Sequence, residues 1–148
     1  MRFKEEGDME QKECIFCKIV EGQIPCFKIY EDERVLAFAD INPITRGHTL
    51  IIPKEHIENI WEMSEECLAA ISKVSKKLAQ AVKKALNPVG IAFLQLNGKG
   101  AGQVIMHYHM HLIPRGPDEP ELPVSKWELR PGNKDEIKKI ADQIASCM

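Results

Sequence analysis

The chain has 148 residues, 44% of them hydrophobic and 28% charged, which is the balance of one ordinary globular domain and excludes a disordered or fibrous protein. Its 20 basic and 22 acidic residues nearly cancel to a formal charge of −2, so no broad positive field exists to hold a nucleic acid and any phosphate recognition must be local. The apolar runs fall far short of the roughly 20 residues that cross a bilayer, and the charged first residues are unlike a signal peptide, so the sequence predicts a soluble cytoplasmic protein with no membrane partner.

Residues 1–13 mix Lys, Arg, Glu and Asp with few apolar side chains and read as a flexible tail, unable to offset its ordering entropy by burial. Residues 14–148 then read as a single domain. The segment from Cys14 suggests a short helical turn with Ile15, Phe16 and Ile19 as its apolar surface, stopped by Gly22 and Pro25. Residues 27–30 and 35–38 flank a charged turn, Glu31 to Arg34, as in a hairpin, and residues 49–52 form a third β-rich run before Pro53. Ser64 is placed to cap a long helix, with Glu65 and Glu66 in its first turn and Leu68, Ile71, Val74, Leu78 and Val82 on one face. Asn87 and Pro88 end it. Residues 91–96 and 105–113 read as two more strands, joined by the glycine-rich loop 97–103. A Pro-rich connector, 114–123, leads to a final amphipathic helix carrying Ile137, Ile140 and Ile144. The expected fold class is α+β: an antiparallel sheet of about five strands, one long helix packed on it, and a C-terminal helix.

Five cysteines, Cys14, Cys17, Cys26, Cys67 and Cys147, are an odd and scattered set that argues against a disulfide framework. Cys14 and Cys17 have C-x-x-C spacing, which suits a metal site, a redox pair, or two buried thiols; as metal ligands they need two more groups from distant segments. The most informative segment is residues 106–115, where His107, His109 and His111 alternate with Tyr108, Met110 and Leu112. In a strand the three imidazoles share one face while the other three enter the core. A row of imidazoles can divide metal ligation, nucleophilic attack and proton transfer among its members. Just upstream, the glycines of NGKGAGQ leave backbone N–H groups free to converge on an anion, although most such loops are plain turns.

The H-x-H-x-H run preceded by a G-Q step resembles the histidine-triad family of nucleotide hydrolases and transferases. The likeness extends through CIFCKI, LAFADINP, GHTLIIPKEH, NGKGAGQ and HYHMHLIPR, in that order, from Cys14 to Arg115. It implies that His109 attacks the α-phosphorus of a nucleotide, giving a covalent nucleotidyl-histidine that water cleaves. Chemistry agrees, since a neutral imidazole is nucleophilic at one nitrogen when the other donates a hydrogen bond. The resemblance further implies that Gln103, His111 and loop backbone groups meet the phosphoryl oxygens, with His48 as an orienting partner. It assigns base and ribose to Ile15, Phe16, Ile19, Phe38, Asp40, Ile41 and Leu50, with Asp40 accepting from ribose hydroxyls. Asn97 would face ribose or phosphate, and Gly102 and Val104 would complete the phosphate wall. The apolar members of this set are equally compatible with plain core. Val104 departs from the family pattern, which commonly has Ser or Thr there.

In zinc-containing members and related uridylyltransferases, two such cysteines join the histidine of a PKxH segment and the first triad histidine. The matching set is Cys14, Cys17, His56 and His107, implying a structural Zn2+ and no organic cofactor. The resemblance implies a homodimer, to which apolar helix positions such as Ala81 and Ala85 are suited, and leaves Trp127 as a candidate border of the substrate site. The expected substrates are nucleoside 5′-phosphoramidates or dinucleoside polyphosphates, adenosine preferred, with purine nucleotides such as AMP conjugates as partners. Two other readings stay open: a regulatory nucleotide-binding module with residual turnover, and an enzyme with a catalytic metal on the H-x-H pairs.

Overall fold

The computed structural model of the chain describes residues 11–122 and 130–148. Of the expected tail, residues 1–10 lie outside the described residues and 11–13 are helical; Trp127 also lies outside them. Helix α1 spans Ile15–Val20, with the Cys14 thiol accepting from the Cys17 N–H at its start. Strands β1 (Lys28–Glu31), β2 (Val35–Ala39) and β3 (Thr49–Pro53) follow, then the long helix α2 (Glu65–Leu86). Next come β4 (Gly90–Gln95), a single 3-10 turn (Lys99–Ala101), β5 (Met110–Arg115) and α3 (Lys134–Ser146). The five strands form one sheet in the order β1-β2-β3-β5-β4, and every neighbouring pair is antiparallel. The α+β class expected from the sequence is the one found.

Local chemistry explains the boundaries. Asp32 closes the β1–β2 turn by accepting from the N–H groups of Arg34 and Val35, both at 2.8 Å. Ser64 caps α2 through Cys67 N–H at 3.2 Å, and Asn87 ends it in the left-handed conformation. Alternation along β2 and β3 then divides the core. Val35, Ala37 and Ile51 pack with Leu112 and Tyr108 against Ile71, Val74 and Leu78 of α2. Leu36, Phe38, Leu50 and Ile52 face the other way and meet Phe16 of α1. Burying each such side chain contributes roughly 1.5–3 kcal/mol before entropy is subtracted. The face that carries Phe16 carries the functional groups.

One strand differs from expectation: β5 begins at Met110, not at Ile105, so His107 and His109 precede it. The β3–β5 register pairs Thr49 with Leu112 and Ile51 with Met110, and its continuation would set Pro53 against Tyr108. Proline has no N–H to donate there. The Tyr108 N–H goes instead to the Ile57 carbonyl at 2.6 Å, while the Pro53 carbonyl accepts from the His107 ring. The alternation survives the loss of the ladder, because Tyr108 and Leu112 still enter the α2 side of the core.

Internal contacts group the chain into two compact units, Met1–Pro117 and Asp118–Met148. In the second unit α3 is capped by Asn133 and carries Ile137, Ile140 and Ile144, all exposed. Among the described residues no helix is long and apolar enough to cross a membrane.

Candidate active site and metal cluster

His109 lies on the last irregular residues before β5, partly buried, with the Phe16 ring edge-on to it at 5.3 Å between centroids. Its Nδ1 is 2.7 Å from the His107 carbonyl. A carbonyl only accepts, so Nδ1 bears the proton and Nε2 is left with its lone pair. Burial holds the ring below the usual histidine pKa, against the raising effects of the His107 carbonyl and Asp40. The group is a neutral imidazole with one fixed tautomer.

A second chain of hydrogen bonds fixes His111. The Ile44 N–H donates to His48 Nδ1 at 3.2 Å, so His48 carries its proton on Nε2. That atom lies 2.8 Å from His111 Nδ1 and 3.5 Å from an Asp40 carboxylate oxygen. His111 therefore accepts at Nδ1 and presents an N–H at Nε2. Burial, with His109 and His48 beside it, lowers His111 to about 4, and burial lowers His48 as well, with Asp40 opposing in both cases. Gly47 sets the approach: at φ +89° it brings the chain into His48 past Leu86 and Pro114 so closely that a Cβ would meet Leu86 Cδ1 at 2.5 Å.

His109 and His111 line a cavity of about 460 Å³. Ile15, Phe16, Ile19, Phe38, Asp40, Ile41, Leu50, Gly102 and Val104 line it too, so eleven of the thirteen residues expected at a nucleotide are brought together. Most of its lining is apolar, with His109, His111, Asn42 and the carboxylate of Asp40 as its polar side chains, a composition that suits a nucleotide's base together with its phosphate. Sequence reasoning missed Ile24, Pro25, Cys26, Ala39, Asn42, Leu96 and Ile105 in this wall. The signal for the first three was the short apolar run after Gly22, which reads as a mere helix stop.

Two expected members stand apart. The Gln103 amide donates to the carbonyls of Glu58 (2.7 Å) and Ile105 (3.1 Å), and its oxygen accepts from Gly98 N–H at 2.7 Å. Its backbone N–H goes to the Gly98 carbonyl. Gln103 is thus a buried clasp that closes the glycine loop, and it has no amide proton to spare for phosphate. Asn97 accepts from the N–H of Ile60 at 2.8 Å and pairs with Gln95, away from the cavity. The Val104 N–H, by contrast, meets no acceptor among the described residues.

On the far side of Phe16, four ligand atoms converge. The donor atoms of Cys14, Cys17, His56 and His107 all lie within 4.8 Å of one another. His107 donates from Nε2 to the Pro53 carbonyl at 2.8 Å, which leaves Nδ1 as a lone pair aimed at the thiols of Cys14 (3.4 Å) and Cys17 (3.6 Å). His56 Nδ1 is 3.2 Å from Cys17 Sγ. Tetrahedral zinc with ordinary Zn–S and Zn–N bonds requires S···N edges of about 3.6 Å, so the set fits such an ion closely. Burial pushes the Cys17 thiol up to about 12, reinforced by Cys14, and drives the fully buried His107 down to about 4. Both groups are held neutral until a cation compensates them.

Comparison with known proteins follows the same lines. The HIT domain family model matches residues 21–118. The chain is 44% identical over 133 residues to the adenosine 5′-monophosphoramidase hnt1 of Schizosaccharomyces pombe, covering 90% of this chain and 96% of that one. It is 38% identical over 145 residues to the adenylylsulfatase HINT3 of Arabidopsis thaliana, covering 98% and 72%. Among solved structures, a histidine triad nucleotide-binding protein from Candida albicans matches with a TM-score of 0.80 and 37% identity, over 90% of this chain and 96% of that one.

Proposed function

Because the chain belongs to the HIT domain family, we propose that it is a nucleotide hydrolase or nucleotidyl transferase that cleaves at the α-phosphate of adenosine 5′-phosphoramidates and related adenylates through a covalent adduct on His109. The names of the two relatives support the reaction class. The single observation that carries the mechanism is the 2.7 Å contact between His109 Nδ1 and the His107 carbonyl, which frees Nε2 for attack.

In the first step the Nε2 lone pair bonds to phosphorus as the bond to the leaving amine breaks. That bond's electron pair stays on the amine nitrogen, which takes a proton from solvent. In the second step a water oxygen bonds to phosphorus and releases a proton to solvent, while the His109–phosphorus bond breaks and its pair returns to Nε2. AMP leaves. His111 Nε2–H and the Val104 N–H meet the phosphoryl oxygens, His48 positions His111, and Asp40 receives the ribose hydroxyls. Gln103 holds the loop that presents Val104.

Cys14, Cys17, His56 and His107 would hold Zn2+, whose role when bound is to tie α1, the segment after β3 and the residues before β5 together. His107 thereby also fixes the carbonyl that orients His109. Exposed Ala81 and Ala85 on α2, and exposed Phe93 on the edge strand β4, support a homodimer. Five free thiols suit a reducing compartment, and we place the protein in the cytoplasm.

The test is turnover of adenosine 5′-phosphoramidate to AMP. Wild-type protein is expected to turn it over, and His109→Ala to lose turnover while still binding AMP. Wild-type protein that binds AMP and releases none from the substrate would make the fold a regulatory binding module instead.

A further inference from the structure

Cys14 immediately precedes α1 and Cys17 lies in its first turn, with the Cys14 thiol accepting from the Cys17 N–H at 3.4 Å. Their sulfur atoms are within 4.8 Å of one another. Residues three apart on a helix have Cα atoms about 5 Å apart, inside the range of about 4.4–6.8 Å that a disulfide spans. The two thiols differ in access. Cys17 and His107 are buried, whereas Cys14 and His56 are partly exposed. Those same two line a second cavity, of about 800 Å³, which shares Ile15 and Ile105 with the nucleotide cavity but carries the charged side chains Glu13, Glu58 and Lys99. Small polar solutes therefore reach one cysteine of the cluster while the other stays covered.

From this arrangement we infer that Cys14 and Cys17 are a redox modification site: a peroxide joins them in a disulfide, the cluster gives up its metal, and His107 loses an anchor of the backbone carbonyl that orients His109. Metal ligation keeps both sulfurs as thiolates, the form that reacts. The peroxide O–O bond breaks on attack by the Cys14 thiolate, leaving one oxygen on that sulfur as a sulfenic acid and releasing the other as hydroxide, which takes a proton from solvent to become water. The Cys17 thiolate then bonds to the Cys14 sulfur as the S–O bond breaks, and a second hydroxide takes a proton and leaves as water. The sulfur pair is oxidised by two electrons and the peroxide is reduced by two. A disulfide has no thiolate to offer, so His56 and His107 alone remain as donors where four complete a tetrahedron. The effect reaches the nucleotide cavity through His107, whose ring faces the thiols and whose carbonyl accepts from His109 Nδ1 at 2.7 Å. The loss of turnover rests on the proposed His109 chemistry; the disulfide and the release of metal do not.

The experiment loads the whole chain with an equivalent of Zn2+, treats it with a small excess of hydrogen peroxide, and follows zinc released to a chromogenic chelator, the mass of the unreduced tryptic peptide 13–18, and AMP release from adenosine 5′-phosphoramidate. That peptide holds Cys14 and Cys17 and no other cysteine. The peptide is expected to become lighter by two hydrogen atoms as about one zinc ion per chain is released. In the same sample kcat should fall about 10- to 100-fold, and dithiothreitol with added zinc should reverse all three changes. Cys147→Ser, which removes the exposed thiol, should respond as the wild type does. Zinc that stays bound, a peptide that stays reduced while zinc leaves, a response lost in Cys147→Ser, or protein that takes up no zinc overturns the inference. Disulfide formation and zinc release with kcat unchanged overturn the link to His109 alone. If untreated protein fails to turn over the substrate, the proposed function falls, and the peptide and zinc readings still decide this inference.

Discussion

Replacing His48 and His111 by alanine, singly and together, tests whether the two histidines act as one unit. His111 supplies a phosphoryl donor, and removing such a donor costs about 10²–10³ in kcat, or about 2.7–4 kcal/mol. His48 meets the site through its 2.8 Å bond to His111 Nδ1, with its Nε2 also 3.5 Å from the Asp40 carboxylate. Its loss leaves the partly buried His111 Nδ1 unpaired and frees His111 to take the other tautomer, so the fall in kcat should not exceed that of His111→Ala. If His48 acts only through His111, the double variant is as slow as His111→Ala alone, and the coupling energy equals the whole His48 effect. The assay is AMP release from adenosine 5′-phosphoramidate, with kcat and KM determined separately. KM should move little, because the apolar wall that holds the base is untouched, and His48→Gln, which restores a donor near Nε2, should recover part of kcat. Rates that simply multiply, giving a double variant slower than His111→Ala by the full His48 factor, would refute the chain of tautomers.

Three further outcomes follow from other parts of the molecule. Gly47→Ala puts a side chain on a left-handed backbone, with its Cβ 3.1 Å from Pro114 Cγ and 2.5 Å from Leu86 Cδ1, the tip of a side chain that can turn away, so stability should fall by about 1–3 kcal/mol; a melting temperature equal to that of wild type would contradict this. Cys17→Ser should abolish the binding of about one zinc ion per chain, measured by elemental analysis, and calorimetry of zinc binding to the wild-type apoprotein near pH 7 should detect released protons, since the free thiol titrates at about 12. The unfolded chain takes up protons below about 6.5 while folded His111 stays neutral to about 4, so stability is complete above the upper value and declines as pH falls between the two. The urea midpoint should therefore drop from pH 7 to pH 5, and drop less in His111→Asn; equal slopes would contradict the assignment.

The fold was legible wherever local chemistry decides it. Ser64, Glu65 and Glu66 announce the start of α2, Asn87 its end, and the 35–38 and 49–52 runs alternate as their two core faces require. The start of β5 was not, because it depends on Pro53 lying opposite Tyr108, a meeting of distant segments. Gln103 shows the same limit. A glutamine after glycines looks like a phosphate donor, yet its protons go to carbonyls that loop closure brings near. The histidine row was legible as one face, but its division of labour was not. His107 turns to the cysteines, His109 is fixed by a backbone carbonyl and His111 by His48, and only tertiary contacts distinguish the three.

The claim that most depends on this geometry is that His109 Nε2 becomes bonded to phosphorus. Rapid acid-free quenching of wild-type protein during turnover of adenosine 5′-phosphoramidate, followed by peptide mass spectrometry, measures it directly. The expected result is one adenylyl group on the peptide containing His109, localised to that residue by fragmentation and lost on mild acid treatment. An adenylyl group on another residue, or turnover at the wild-type rate in His109→Ala, would contradict the account.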